Sequence, residues 1–205
     1  MTLRPWHIPP EWAGETAVII AGGPSLSMVQ IEIATEAGCR LIGINDAWRL
    51  APWMDLHYAC DLKWWNWHHA ACRAALECRS VTQSKDAAVA YPDLTYVVGL
   101  PEPGLSTDPT TIHTGKNSGY QAINLAVHLG VTRILLIGYD MQIAADGASH
   151  WFGDHPDKVR SWYTSWFPCF ATLPPDLERL GVEVINCTPG SALPTFPMAR
   201  LEDVL

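Results

Sequence analysis

His150 and His155 stand at either end of a short run, His150-Trp151-Phe152-Gly153-Asp154-His155, with Asp154 beside the second imidazole. Histidine exchanges a proton near neutral pH, and a neighbouring carboxylate can orient the ring. The run is therefore a candidate for general acid or base chemistry at His155, with His150 and Asp154 as its partners. His, His and Asp are also competent metal ligands, but no helical spacing such as H-E-x-x-H supports a metal site, and acid–base chemistry ranks above it. An inert loop histidine is the plain alternative.

A second kind of chemistry is anion binding. Gly22-Gly23-Pro24-Ser25 joins an apolar run to a helical pattern, and glycines there let a phosphate approach the backbone at a helix N-terminus. The motif is neither G-x-G-x-x-G nor G-x-x-x-x-G-K-[ST], so ordinary dinucleotide binding and Walker-type hydrolysis are poorly supported. Taken alone it serves equally as a tight turn. Lys116-Asn117-Ser118-Gly119 opens another helical run, with Ser118 as the expected cap and Lys116 as a counter-charge. Asn45 and Asp46 follow one apolar run and Asp61 another, where short polar side chains can bond a ribose or base. Asp46 serves equally as the cap of a following helix.

Stacking is the third. Trp64, Trp65 and Trp67 put three of the chain's ten tryptophans within four positions, and Trp151 lies between the histidines. Indole rings stack on sugars and bases, so these four are acceptor-stacking candidates. On a helix, however, Trp64, Trp67 and His68 share a face that suits a core or an oligomer interface.

The elements that must position these residues read as follows. Residues 16–21, 40–44, 133–137 and 183–186 are short, largely apolar strand runs, and 54–60 alternates weakly and gives a strand ending at Asp61, with weaker strand candidates at 80–83 and 94–98. Helical patterns cover residues 27–37, with Ser25 as cap and Gly38 at the end, and 118–129, closed by Gly130 and apolar on most of its surface. A helical stretch from about 156 to 180 is interrupted by Pro168, Pro174 and Pro175. Residues 102–114 read as a long loop, ordered or mobile, of a length that suggests a functional one. Strands alternating with helices predict an α/β, Rossmann-like single domain over residues 1–205, with a mostly parallel sheet and helices on both faces. Ligands bind such sheets at the carboxyl ends of the strands, where every polar motif named above falls.

Composition narrows the partners. A chain of 205 residues with 48% hydrophobic content is too short for two full-sized catalytic domains. Its net charge of −8 supplies no overall field for phosphates, so nucleic acid is disfavoured as a partner. The start of the chain does not read as a signal peptide, and no apolar run reaches membrane-spanning length, so a cytoplasmic location is expected. Six cysteines without a C-x-x-C pair suggest neither a zinc ribbon nor a disulfide framework.

In order, the motifs are Ala21-Gly22-Gly23-Pro24-Ser25-Leu26, Asn45, Ser118-Gly119, Gly138-Tyr139-Asp140, the His150 to His155 run, and Cys187-Thr188-Pro189-Gly190-Ser191-Ala192-Leu193. This order resembles the bacterial lipooligosaccharide sialyltransferases, which carry G-N-G-P-S-L, an Asn, S-G, G-I-D, H-Y-I-G-H and C-P-N-S-L in the same succession. It is also similar to the archaeal 6-hydroxymethylpterin pyrophosphokinases and to small phage-encoded proteins related to both, which would place the chain in a host cytoplasm. The resemblance implies a metal-independent glycosyltransferase using a nucleotide-sugar donor and requiring no cofactor. His155 would be its general base, with Gly23, Pro24, Ser25, Asn45, Ser118, Gly119 and Asp140 as nucleotide contacts. The alternatives it leaves are a pyrophosphokinase using Mg on carboxylates such as Asp46, Asp61 or Asp140, transfer to a modified base of phage DNA, and nucleotide binding without catalysis. The chain departs from the sialyltransferase pattern at Gly22, where the motif has Asn, and at Asp154, which is an extra residue. Its lid is shorter, and two tyrosines that assist departure of the phosphate have no match in residues 141–149.

Overall fold

Largely apolar runs of three to five residues build the sheet, buried on both faces along most of their length, with a two-residue strand, Thr95–Tyr96, half-buried at one edge. The computed structural model describes residues 3–157 and 163–205. Met1 and Thr2, at the start of the segment read for a leader, and residues 158–162, within the expected helical stretch, lie outside the described residues. In chain order the strands and helices are β1 (Thr16–Ile20), α1 (Met28–Glu36), β2 (Arg40–Ile44), β3 (Leu56–Tyr58), α2 (Leu62–Ala75), β4 (Arg79–Thr82), α3 (Lys85–Ala90), β5 (Thr95–Tyr96), β6 (Val98–Leu100), β7 (Thr111–His113), α4 (Ser118–His128), β8 (Arg133–Ile137), α5 (Tyr163–Phe170), α6 (Pro174–Leu180) and β9 (Glu183–Asn186).

Seven strands form one parallel sheet in the order β5-β4-β3-β2-β1-β8-β9, while β6 and β7 pair separately. The chain winds outward from β1 to β5, then returns to lay β8 on the other side of β1. That reversal creates a crevice beyond the carboxyl ends of β1 and β8, the place where doubly wound sheets bind ligands. Alternate residues face opposite layers. Ala17, Ile19, Ile42, Ile134 and Leu136 pack beneath α4 with Phe170 and Leu177. Val18, Ile20, Leu41, Leu135 and Ile137 pack against α1 and α2. The fold is thus α/β and Rossmann-like, with helices on both faces of an all-parallel sheet. No described helix is long and apolar enough to cross a membrane.

The boundaries differ from expectation where local bonds intervene. Ser27, not Ser25, caps α1, in a capping box with Gln30. Asn117, not Ser118, caps α4, accepting from the N–H groups of Gly119 and Tyr120. The run 94–98 splits because the chain changes partner within it: the Val97 N–H bonds Thr82 on β4, and the next N–H bonds Thr110. Residues 102–114 are ordered and contain β7. The buried Asn124 amide accepts from the N–H groups of Ser106 and His113 and donates to the Ser106 carbonyl, fixing that segment to α4. Pro168 lies inside α5, and the break comes later, at Pro174 in the first turn of α6, which ends on the left-handed Gly181.

Candidate functional site

The turns that leave β1, β2, β3, β4, β7 and β8 surround a cleft of about 850 Å³ at the crevice. Among the described residues, Asn45, Lys116 and Met141 are the non-glycine residues with positive φ, at 49°, 59° and 53°. All three line the cleft, just beyond β2, β7 and β8 respectively. Left-handed backbone at a residue with a Cβ costs on the order of 1–3 kcal/mol and persists where the surroundings over-determine it. At Asn45 the cause is visible. Its carbonyl accepts from Nε2 of the fully buried His57, 2.9 Å away. Burial pushes the His57 imidazole down to about 4, so it stays neutral and carries its proton on Nε2 to make that bond.

The glycine turn is built differently from an open phosphate cradle. The Gly23 N–H donates to the Gly138 carbonyl, the Ser25 N–H to Asp140 Oδ1, and the Leu26 N–H to the Gly23 carbonyl. Pro24 has no N–H, so the Gly22 N–H is the one in this turn that no described residue accepts. Gly23 is a glycine for packing: a Cβ there would sit 1.9 Å from Asp140 Oδ2 and 2.5 Å from the Gly138 carbonyl oxygen. Asp140 is buried and takes both Ser25 donors, which counters a burial that on balance raises its carboxyl above the usual range. Its expected role as a nucleotide contact therefore reduces to one wall of the cleft, and Ser25 lines an adjoining hollow of about 410 Å³ on the other side.

The start of α4 provides the more open anion site. Asn117 satisfies two of its N–H groups from within, while the Ser118 N–H has no acceptor among the described residues and Lys116 is exposed on the same rim. Ser118 Oγ lies 3.2 Å from Cys60 Sγ beyond β3, tying the two strand ends together. Gly119 lets the buried Tyr139 ring pass beneath the helix, where its hydroxyl donates to the Gly119 carbonyl. Asp61 precedes α2 without capping it and stands exposed at the cleft edge.

His150 and His155 both reach the cleft. The His150 ring stacks on Phe152, with centroids 4.9 Å apart and planes 4° apart, and its Nδ1 lies 3.2 Å from the Gly22 carbonyl. His155 stacks on Trp67 at 6.1 Å and meets His150 edge-on at 4.9 Å. Burial lowers both imidazoles below their ordinary value, so each is neutral at pH 7 and able to accept a proton. Lys63 lies over the Trp67 ring and pairs with Asp157 at 2.8 Å, securing the histidine loop to α2.

Five of the expected site residues do not line this cleft. Asp46 is 1% exposed, turned inward onto Arg49 and onto Nε1 of Trp64. It is neither a helix cap nor a nucleotide contact, because its carboxylate is spent in the interior. Trp65 is wholly buried and donates to the Ala59 carbonyl, so it packs the core rather than a ligand. Trp64 touches the cleft but is 3% exposed and edge-on to Trp65, whereas Trp67 is half-buried at the cleft, where it already stacks on His155. Trp151 lines the smaller hollow, and Ser25 bonds Asp140 there. Asp154 is exposed on the loop away from the cleft.

Residues not singled out in the sequence complete the lining. Gln83 enters from the end of β4, Phe152 from the histidine loop, and Tyr163 and Trp166 from α5. The position of Gln83 after a strand is the same signal that marked Asn45 and Asp61. Nothing local marked Tyr163, which arrives from a helix far along the chain. Among the described residues, no three His, Cys, Asp or Glu side chains form a metal-binding group. Asp46, Asp61 and Asp140 in particular do not converge. Compared with models of protein families, with curated proteins and with solved structures, the chain matches none.

Proposed function

We propose that the cleft binds a nucleotide, and that the chain is a metal-independent transferase acting on a nucleotide-sugar donor. The observation that carries this reading is the convergence of the turns after β1, β2, β7 and β8 on one cleft, with strained Asn45, Lys116 and Met141 facing it. Backbone strain retained at several strand ends around a single cavity is the mark of a binding site. In this reading the free Ser118 N–H at the α4 N-terminus and the Lys116 ammonium hold phosphate, and Trp67, stacked on His155, forms an aromatic wall beside the base or sugar.

His155 accepts the proton of an acceptor hydroxyl. The freed oxygen attacks the sugar carbon, the carbon–oxygen bond to phosphate breaks, and the nucleotide leaves with its negative charge against the α4 terminus. Tyr163 brings a phenol to the same cleft, where it can donate to the departing phosphate. The pyrophosphokinase reading is weaker here, since its metal would need carboxylates that point apart. The wall of aromatic rings does not favour a flipped DNA base, because two of the three clustered tryptophans are core.

Calorimetry against CMP, UDP, GDP and ADP, followed by donor consumption with and without EDTA, tests the proposal. Tight binding of one nucleotide and EDTA-insensitive loss of its sugar conjugate is the expected result. Binding without consumption reduces the assignment to a nucleotide-binding protein, and no binding by any of the four overturns it.

A further inference from the structure

The smaller hollow of about 410 Å³ beyond Asp140 adjoins the cleft, and the donor chemistry above does not use it. Pro24, Asp140, Gln142 and His150 border both spaces, so these four form the wall between them. Ser25, Asp146 and Trp151 border the hollow and not the cleft. The side-chain atoms that their own hydrogen bonds leave over are acceptors. The Ser25 hydroxyl gives its proton to Asp140 Oδ2 and keeps its lone pairs. Asp146 Oδ1 accepts the Ala148 N–H, which leaves Oδ2, and Gln142 donates an amide N–H to the Gly190 carbonyl, which leaves Oε1. His150 is set in the same sense. Its Nδ1 lies 3.2 Å from the Gly22 carbonyl, an oxygen that can only accept, so in the neutral ring the proton is on Nδ1 and Nε2 carries a lone pair. That Nε2 has no partner among the described residues and is not sealed in the interior.

Such a lining selects by charge and by the sense of its hydrogen bonds. None of the described residues around the hollow is Lys or Arg and two are Asp, so an anionic group is disfavoured there, while Lys116 and the Ser118 N–H favour one in the cleft. A set of acceptors calls for a molecule rich in hydroxyl donors, and the half-buried Trp151 ring offers an apolar seat to its C–H face. We propose that the smaller hollow is the acceptor subsite, and that it takes an uncharged, polyhydroxylated molecule of the sugar class, one hydroxyl of which donates to Nε2 of His150 at the shared wall. The His150 and His155 ring centroids are 4.9 Å apart, so a molecule bonded to His150 stands beside the proposed base. The two substrates are then sorted by charge into neighbouring spaces. The role as acceptor subsite rests on the reading of the larger cleft as the donor site, but its test does not require turnover.

Nitrogen-15 NMR of the full-length protein labelled in histidine and tryptophan reads the hollow directly, with His150→Gln and Trp151→Phe to assign the two residues. The probes are the methyl glycosides of glucose, galactose and mannose, with glucose 6-phosphate as the anionic counterpart. The expected spectrum shows His150 protonated on Nδ1. At least one glycoside should move its Nε2 resonance and the Trp151 indole resonance to saturation, and glucose 6-phosphate should leave the Trp151 resonance in place. Asp146→Ala, at an exposed position, and Trp151→Ala should each weaken that glycoside about tenfold while nucleotide affinity stays within about twofold. If Trp151→Ala does not fold, Asp146→Ala decides. Glycosides that leave both resonances unmoved, glucose 6-phosphate that moves Trp151 as strongly, a His150 protonated on Nε2, or unchanged glycoside affinity in Asp146→Ala overturns the proposal. Saturable glycoside shifts in a protein that binds none of CMP, UDP, GDP and ADP keep the sugar site and remove the transferase reading, whereas nucleotide binding without glycoside shifts does the reverse.

Discussion

Asp140 and Ser25, 115 residues apart, are joined by two hydrogen bonds of 3.0 Å, from the Ser25 N–H to Oδ1 and from its hydroxyl to Oδ2. They clamp the end of β8 to the turn after β1, across the crevice where the sheet reverses direction. The cleft's floor is therefore one unit made from two distant turns.

Gly23→Ala tests that unit. The added methyl meets the Asp140 carboxylate and the Gly138 backbone, and the latter cannot yield as a flexible side chain would. Overpacking of this kind costs about 1–3 kcal/mol. Urea unfolding should show that loss, and calorimetry should show nucleotide affinity reduced at least tenfold, because the turn and Asp140 move together. Wild-type stability in this variant would mean that the contact is not tight.

Lys116→Gly should separate strain from binding. Glycine takes the left-handed backbone of this position without the side-chain penalty, so the variant should be about 1 kcal/mol more stable to denaturant. Loss of the ammonium at the α4 terminus should at the same time weaken phosphate-bearing ligands. A variant that is less stable and binds as well as the wild type contradicts both halves.

Trp65→Ala and Trp67→Ala should behave oppositely. Trp65 is wholly buried, and its truncation should cost about 3–5 kcal/mol by thermal or urea unfolding. Trp67 is half-buried at the cleft, so its loss should leave the fold near wild-type stability and reduce affinity for nucleotide and for base-stacking dyes.

Stability should fall in acid from about pH 6.5 downward. His57 is held at about 4 by burial, against an ordinary 6.5, so between these values the unfolded chain binds more protons and stability rises with pH. The contribution is fully present above 6.5, shrinks as the pH falls, and is gone below about 4. The difference corresponds to about 3 kcal/mol at most. His68, His128, His150 and His155 are lowered in the same direction and add to the trend. Urea midpoints measured from pH 4 to 8 should show the slope, and His57→Gln, which keeps a donor for the Asn45 carbonyl, should flatten it.

Much of the frame was legible in local pattern. The apolar run 40–44 became β2, 133–137 became β8 and 183–186 became β9 with the same limits, because a short β-branched run between turn residues has few other ways to bury itself. Asn45, Asp61, Lys116 and Ser118 were recognisable as strand-end or helix-start residues, and all four stand at the cleft. The proline-rich segment 102–114 was not legible as structure, since what orders it is Asn124 on another element.

By itself, then, the amino-acid order determined the alternation of strands and helices and the polar turns at the strands' carboxyl ends, since both depend on residues a few positions apart. Tertiary structure decided which way those side chains turn. Asp46 and Asn45 are adjacent in the chain, yet one is enclosed by Trp64 and Arg49 while the other lines the cleft. Trp65 and Trp67 divide in the same way between core and cleft. Gly23 reads locally as room for a ligand but makes room for Asp140. Such choices depend on the placement of β8 beside β1 and of α2 against the 3-10 turn, contacts between residues tens to more than a hundred positions apart that no periodicity encodes.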